Sequence, residues 1–268
     1  MVVSQVTWLP WTWALMAAAA LALTAILLRT LTDGHARGRG VAAVTTQVAV
    51  LLALYAAWQY AGSISLASLD GAEEAGRWLS NLETTLHWPS EAAIQAPVLD
   101  HDWMLRAADT YYAVAHVPVF LATLVWVLAR HRADWPFVRT TIVLTTGGCL
   151  LIQYLPVAPP RLIPELGVVD TAARTGLSVY ATVPGANQYA AMPSVHVAWA
   201  AAVAFFIIIV ARSRWRWFAI AYPVATMWVV IVTGNHFTID GVAAVAILAA
   251  AAAAANLWPS QRPSRATH

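Results

Sequence analysis

Seven apolar stretches, most of them about long enough to cross a bilayer, constrain the fold of this chain more than any other feature. They lie at roughly 11–31, 41–61, 108–129, 139–157, 194–211, 217–233 and 237–257. A membrane helix needs about 20 mostly apolar residues, and some of these stretches are shorter. Only 10% of the residues are charged, whereas a soluble domain carries about 25%. The sequence therefore predicts an all-α, polytopic membrane helix bundle with about seven transmembrane helices.

The order of these stretches predicts how the chain is organised. We expect residues 1–268 to form a single integral membrane domain, with N-terminal spans at 11–61, an outer connection at 62–107 and the spans that hold the chemistry at 108–257. The first stretch is long for a signal-peptide core, and its Arg29 lies at the far end rather than before it. It is therefore predicted to remain as a membrane helix.

Two of the connections are long enough to have structure of their own. The connection 62–107 contains a predicted interfacial helix at about 71–88, in which Trp78 and Trp88 suit a membrane interface. Its predicted apolar stripe consists of Ala75, Leu79, Leu82 and Leu86. This helix is either a lid or lipid entry ramp, or a helix that packs on the bundle. The segment 158–192 is rich in Pro, Gly and small polar residues, which predicts an ordered loop across the mouth of a site.

Arginine residues accumulate at alternate connections and after the last span. They are Arg29, Arg37, Arg39, Arg130, Arg132, Arg139, Arg212, Arg214, Arg216, Arg262 and Arg265. By the positive-inside rule these segments are cytoplasmic. We therefore expect a bacterial plasma membrane protein with its N-terminus outside and its C-terminus in the cytoplasm. The segments that follow the fourth span, open the fifth and join the sixth to the seventh then share the outer face.

Two short motifs place ionisable residues at the starts of apolar segments. One is Pro-Ser-Val-His, ending at His196, and the other is His-Phe-Thr-Ile-Asp, running from His236 to Asp240. Ionisable groups at membrane depth are costly and are functional candidates by default. A histidine four residues before an aspartate shares a helix face with it, so the carboxylate can hold the imidazole in one tautomer.

Together with Arg161, these residues supply the groups that metal-free phosphoryl transfer requires. His236 can attack phosphorus while Asp240 accepts a hydrogen bond from its other ring nitrogen. His196 can protonate the leaving oxygen, because an unperturbed imidazole has a pKa of about 6.5. Arg161 can bind phosphate oxygens with its planar guanidinium. Ser194 can add a donor at the start of a helix, where an anion is favoured.

These residues resemble the type 2 phosphatidic acid phosphatase superfamily, and more closely its inositol phosphorylceramide synthase-like branch. The three matching blocks are Ala-Pro-Pro-Arg161-Leu, Met-Pro-Ser-Val-His196 and Gly-Asn-His236-Phe-Thr-Ile-Asp240, within about 108–250. The resemblance implies a six-helix lipid-phosphatase-like core with one extra N-terminal helix. It also implies a phosphohistidine at His236, orientation by Asp240, His196 as the acid and Arg161 as the phosphate ligand.

Some positions depart from the superfamily pattern. A Lys is expected seven residues before the Arg, where this chain has Tyr154. A Ser-Arg pair is expected ahead of the third block, where this chain has Val229 and Val230, and the Gly of the second block is Val195. The inositol phosphorylceramide synthase-like branch shares such losses. The resemblance therefore implies a rewired phosphate cradle rather than an inactive protein.

A second polar pair lies on the third span, where Tyr112 and His116 are four residues apart and precede Pro118. Related bacterial sequences resemble the chain at this spacing. The pair either contacts the head group or phosphate of the substrate or makes a helix–helix hydrogen bond, since an imidazole at membrane depth must find a polar partner. Asn187 and Gln188 likewise contact either a head group or the loop backbone.

Several function classes remain open. The leading class is an enzyme that hydrolyses a lipid phosphate or transfers its phosphoryl group to an alcohol such as inositol. The donor is phosphatidic acid, a phospholipid, or a prenyl phosphate or diphosphate, and the other partners are membrane lipids. A non-catalytic binding or carrier protein for anionic lipids is the second class, and a receptor rests on span count alone.

Other partners and cofactors have no sequence signal. The chain has one cysteine, Cys149, and lacks zinc-ligand spacing, a Gly-rich nucleotide loop and a basic nucleic-acid stripe. We therefore expect no metal, no cofactor and no nucleic acid. The sequence leaves the oligomeric state open.

Overall fold

The fold is all-α. A computed structural model of the chain describes residues 9–31, 36–64, 69–178 and 187–257. Within these ranges there is no β-strand, only a single bridge between Val157 and Ala190. The predicted fold class, a polytopic helix bundle, is confirmed.

The chain divides into two compact units, which are described separately. Among the described residues, the first unit comprises 9–31 and 36–64, and the second comprises 69–178 and 187–257. The expectation that 1–268 forms one domain stays a prediction. The residues of the 158–192 loop that lie at 179–186 fall outside the described residues, as do Arg262 and Arg265.

The first unit is a hairpin of two helices, α1 (Trp11–Leu31) and α2 (Ala36–Ile64). Both contain stretches long and apolar enough to cross a membrane. The buried side chains of α1 and α2 are alanines, which let the two backbones approach closely: Ala14, Ala18, Ala25, Ala42, Ala49 and Ala56. The Tyr55 hydroxyl donates to the Leu9 carbonyl (2.9 Å) at one end of the hairpin.

The second unit contains the remaining helices. They are α3 (Leu69–Thr85), α4 (Glu91–Leu99), α5 (Asp102–Val114), α6 (His116–Arg130), α7 (Trp135–Gln153), α8 (Thr171–Thr175), α9 (Val195–Val210), α10 (Ala221–Val232) and α11 (Thr238–Leu257). Short 3-10 turns occupy Pro160–Leu162, Pro164–Leu166 and Arg214–Ile220. The last of these turns runs directly into α10, and together they are long enough to span a membrane.

Each of the seven predicted windows contains a helix. Among the described residues, five helical stretches pass a length and composition test for a membrane span by themselves, and the bent pair of α5 and α6 adds a sixth. The remaining window holds α9, which is apolar but only 16 residues long.

The third predicted span, 108–129, was expected as one helix, but the structure has two helices there with a bend between them. The axes of α5 and α6 differ by 46° across Ala115. Pro118 explains the break, since proline has no N–H for the carbonyl of Val114 and its ring clashes there. The bend places Tyr112 in the last turn of α5 and His116 in the first turn of α6.

The predicted helix at 71–88 is α3, which ends earlier, and its predicted apolar stripe is partly wrong. Leu79 is buried, but Leu86 is 46% exposed. The buried face instead runs through Ala72, Gly76, Leu79 and Glu83. A glutamate can occupy this face because the Ile239 N–H donates to its carboxylate (2.7 Å).

The helix α3 packs against the loop that follows α7. The Ala158 N–H donates to the Ala72 carbonyl (2.8 Å). A Cβ atom added at Gly76 would lie 2.7 Å from the Ala158 carbonyl oxygen, so only glycine permits this approach. The outer helix therefore packs on the bundle, and its role as a lid or lipid entry ramp stays a prediction.

The membrane orientation stays a prediction, and thiol labelling tests it. Cys149 is buried, so Cys149→Ser removes the native thiol at a position that reagents do not reach. In that background, an Arg132→Cys thiol should be protected in intact cells from a membrane-impermeant reagent, whereas a Glu165→Cys thiol should react. Lysed cells, in which both thiols should react, are the control. Labelling of Arg132→Cys but not of Glu165→Cys in intact cells would show that the orientation is the opposite of the predicted one.

Candidate active site

Three segments distant in sequence meet at one end of the second unit. They are the loop that carries Arg161, the start of α9 with Ser194, and the turn before α11. Backbone hydrogen bonds join them, because the Arg161 N–H donates to the Gly234 carbonyl (3.1 Å) and the Ser194 N–H to the Asp240 carbonyl (3.2 Å). The structure thus brings the predicted phosphate ligand and the two histidine motifs together.

The imidazole of His236 is held in one tautomer. Its Nδ1 lies 2.7 Å from the carbonyl oxygen of Ala191 and 3.3 Å from Oδ2 of Asp240. A carbonyl oxygen only accepts hydrogen bonds, so Nδ1 carries the proton. The lone pair is therefore on Nε2. The contact with Asp240 was predicted, whereas the contact with Ala191 has no sequence signal because any residue type has the same carbonyl.

The geometry that joins His236 to Asp240 differs from the prediction. The pair was expected on one helix face, but α11 begins at Thr238 and His236 precedes it. Oδ2 of Asp240 accepts the N–H of Phe237 (2.8 Å) and so caps the start of the helix. The two side chains meet in this capping turn, and Asp240 is fully buried there.

Arg161 is fixed beside the histidine segment. Its Nε donates to Oδ1 of Asn235 (3.0 Å), and its Nη1 donates to Oε1 of Gln188 (3.2 Å) and lies 3.7 Å from the carboxylate of Asp170. The side chain is 2% exposed. Asn235 directly precedes His236, so it couples the guanidinium to the imidazole. Asn235 and Asp170 were not predicted as site residues, although the position of Asn235 inside the third motif was an available signal.

The close approach of these segments depends on Gly234. Its φ is 70°, a conformation that side chains other than glycine rarely adopt. An added Cβ atom would lie 3.0 Å from Cβ of Arg161 and 2.9 Å from Cγ1 of Val168. Glycine at this position therefore allows the turn before His236 to lie directly against the arginine loop.

His196 lies within a group of aromatic rings. The ring of Tyr112 stacks on it with centroids 4.3 Å apart, and the ring of His116 contacts it edge to face at 4.7 Å. The ring of His236 is 5.9 Å away. The rings of Tyr112, His116, His196 and His236 therefore form one connected group.

The pair Tyr112 and His116 is buried beside His196. Nδ1 of His116 lies 3.5 Å from the Tyr222 hydroxyl of α10, a long contact of the helix–helix kind. Nε2 of His116 is buried and has no hydrogen-bond partner among the described residues. The suggestion that Tyr112 and His116 contact the substrate stays a prediction.

Comparison with known proteins identifies the family. The sequence model of the PAP2 superfamily matches residues 77–254, which include every residue of this site. This chain belongs to the PAP2 superfamily. No curated protein and no solved structure gives a match. Membership supports a phosphatase-type enzyme that acts on a lipid phosphate in general.

The matched region of this PAP2 superfamily member begins inside α3 and therefore includes most of the outer segment. The sequence interpretation had placed the core at about 108–250 and the outer segment outside it. The family match thus extends the core towards the N-terminus, to helices that contact the loop with Arg161 and the start of α11.

In this PAP2 superfamily member, the residues that replace the Lys and the Ser-Arg pair of the superfamily pattern are uncharged. Tyr154 is 49% exposed, whereas Val229 and Val230 are buried in the apolar core. The carbonyl of Val230 accepts the backbone N–H groups of Asn235 (3.1 Å) and His236 (3.2 Å). Asn235, Gln188 and Asp170 are among the polar side chains near Arg161.

Ser194 has a structural role that the sequence did not predict. It is the N-cap of α9, where its Oγ accepts the N–H of Val197 (3.4 Å), and it is fully buried. Its hydroxyl proton can still be donated, as expected for a phosphate ligand. Among the described residues, no group of three or more His, Cys, Asp or Glu side chains is arranged to hold a metal ion.

Asn235→Ala should lower kcat/KM for phosphate release from phosphatidic acid by about tenfold, because a hydrogen bond to a charged group is worth about 1.5–3 kcal/mol. The loss of Oδ1 leaves Nε of Arg161 without its acceptor beside His236. Asn81→Ala, at an exposed position of α3, is the matched control and should leave kcat/KM unchanged. Equal kcat/KM in the two variants would show that Asn235 does not orient the guanidinium.

Proposed function

We propose that this PAP2 superfamily member cleaves a lipid phosphate through a phosphohistidine formed at Nε2 of His236, on the outer face of the membrane. The observation that carries the proposal is the hydrogen bond of 2.7 Å between Nδ1 of His236 and the Ala191 carbonyl. It fixes the proton on Nδ1 and leaves Nε2 as the nucleophile. The neighbouring imidazole of His196 and the guanidinium of Arg161 supply the remaining groups.

The reaction has two balanced halves. In the first, the Nε2 lone pair of His236 forms a bond to phosphorus, the bond from phosphorus to the lipid oxygen breaks, and protonated His196 gives its proton to that oxygen. In the second, His196 takes a proton from water or an alcohol as its oxygen attacks phosphorus, and the bond from Nε2 to phosphorus breaks. Water yields inorganic phosphate, and an alcohol yields a new phosphate ester.

The backbone N–H groups at the starts of α9 and α11 support a phosphate position at the start of α9. The first N–H groups of any helix lack intrahelical acceptors. At the start of α11 the N–H groups of 237–239 already donate to carboxylates. At the start of α9, in the part of the chain that the structure describes, only the N–H of Val197 has an acceptor, the Oγ of Ser194. An anion is therefore favoured at α9, beside His196, with Arg161 on the opposite segment.

Transfer to an alcohol is the second candidate. Apolar residues at 229–230 replace the Ser-Arg pair of the superfamily pattern, a change shared with the inositol phosphorylceramide synthase-like branch that the sequence resembles. Fewer cationic groups around phosphate favour a donor held by its lipid tail over a soluble phosphate. The same loss is compatible with a non-catalytic carrier for an anionic lipid, which the experiments below distinguish.

His236→Ala and His196→Ala should each reduce phosphate release by at least about a thousandfold, since the first variant lacks the nucleophile and the second lacks the acid. Asp240→Asn should retain residual activity, because the Ala191 carbonyl still holds Nδ1–H. Chelators should not change the rate. Turnover retained in His236→Ala would exclude the covalent mechanism. Lipid flux across vesicles that is unchanged in His236→Ala would instead identify a carrier.

The products from labelled phosphatidic acid, phosphatidylinositol and a prenyl diphosphate distinguish hydrolysis from transfer. With water alone we expect inorganic phosphate from at least one of the donors. With added inositol, a transferase should form a labelled phosphoinositol product at the expense of phosphate, whereas a hydrolase should form the same products with and without the alcohol. The His236→Ala protein is the control for products that arise without the enzyme.

A further inference from the structure

Three carboxylates cap the N-terminus of the helix that follows His236. The backbone N–H groups of 237–239 donate, in order, to Asp240 (2.8 Å), Glu91 (3.1 Å) and Glu83 (2.7 Å). Asp240 lies on α11 itself, whereas Glu91 is on α4 and Glu83 is on α3. Two helices of the outer segment therefore hold the first turn of α11 through their side chains.

Burial makes this arrangement unusual. Glu83 and Glu91 are 2% and 3% exposed, and Asp240 is fully buried. Among the described residues, no Arg or His pairs with Glu83 or Glu91. Carboxylates this close cannot all be ionised in a low-dielectric environment. The partial positive charge of a helix start compensates for only about half an elementary charge.

One carboxylate oxygen shows where a proton is needed. Oε1 of Glu83 accepts the Ile239 N–H, but Oε2 is buried and has no donor among the described residues. A proton held between Glu83 and Glu91 would satisfy that oxygen, since a protonated carboxyl group donates one hydrogen bond. Burial, and next the neighbouring Glu91, raise the pKa of Glu83 to about 8.

We propose that Glu83 and Glu91 are positioning residues that share one proton and so hold the start of α11, with His236 and Asp240, in the geometry for phosphoryl transfer. The inference rests on the proposed function and adds two residues to its machinery. Among the described residues, the hydrogen-bond partners of the His236 ring are Ala191 and Asp240 rather than these glutamates. They act through the backbone of 237–239, which links His236 to the carboxylate that orients it.

The charges around Glu83 determine the consequence of losing the proton. The groups that face it are Glu91 on α4 and Asp240 on α11, both acidic. Ionisation of Glu83 therefore adds a like charge to an already acidic cluster, which weakens the hold on the first turn of α11. The geometry of His236 should consequently loosen as the pH rises through about 8.

The test compares Glu83→Gln with Glu83→Ala. A glutamine amide mimics the protonated carboxyl group, because its oxygen can accept the Ile239 N–H and its NH2 can donate to Glu91. We expect Glu83→Ala to lose at least about tenfold in kcat for phosphate release from phosphatidic acid, and Glu83→Gln to stay within about threefold of the native rate near pH 7. Glu74→Gln, an exposed residue of α3, is the matched control.

The pH profile separates positioning from mere support of the fold. The ratio of kcat for Glu83→Gln to kcat for the native protein should rise between about pH 7 and pH 9, because only the native protein loses the shared proton. Taking the ratio cancels the titration of the two histidines, which both proteins share. A ratio that is flat over this range, or equal rates in Glu83→Gln and Glu83→Ala, would overturn the proposal.

A second readout does not depend on turnover. Because the pKa of Glu83 is raised in the folded protein, its proton stabilises the fold below the ordinary pKa of Glu, and this stabilisation is lost as the pH rises through about 8. The thermal unfolding midpoint of the native protein in detergent should fall as the pH rises from the ordinary pKa of Glu, 4.5, to about 8. The fall should be smaller in Glu83→Gln. Equal slopes would contradict the shared proton. If no lipid phosphate is turned over, the proposed function fails, but the unfolding measurement still tests whether Glu83 and Glu91 share a proton.

Discussion

The site depends on the hydrogen bonds that fix Nδ1 of His236. The Ala191 carbonyl at 2.7 Å determines the tautomer, and Oδ2 of Asp240 lies 3.3 Å from the same nitrogen. Asp240 also caps the start of α11 through Phe237, and its carbonyl accepts the Ser194 N–H. A single buried aspartate thus connects His236, the helix behind it and the helix that carries His196.

The outer segment belongs to the same physical unit as this site. Gln95 of α4 accepts the N–H of Val169 and donates to the carbonyls of Val169 and Val232, each at 2.8 Å, and it is fully buried. It therefore joins the arginine loop to the end of α10, while Glu83 and Glu91 hold the start of α11. Buried polar groups persist when every partner is satisfied, and such networks fix one geometry. The sequence left this segment open as a lid or as a helix packed on the bundle, and these side chains show its packing on the bundle.

The sequence predicted the helices and the residue types of the site, but less of what holds them. Apolar length predicted the spans because the bilayer imposes it, and the spacing of His236 and Asp240 predicted their contact. The bend before Pro118 was missed because apolarity continues across it. The burial of Glu83 was not predicted, because charge usually indicates exposure. Its burial depends on backbone donors of α11, which are distant in sequence and have no residue-type signal.

The proposed mechanism depends on which atom of His236 takes the phosphoryl group, and quenched turnover tests this most directly. The native protein and Asp240→Asn would be mixed with labelled lipid phosphate, stopped in alkali, and digested for mass spectrometry and phosphorus NMR. We expect an acid-labile phosphoryl group on His236, attached to Nε2, because Nδ1 carries the proton that the Ala191 carbonyl accepts. Turnover without a phosphoryl group on His236, or one attached to Nδ1, would contradict it.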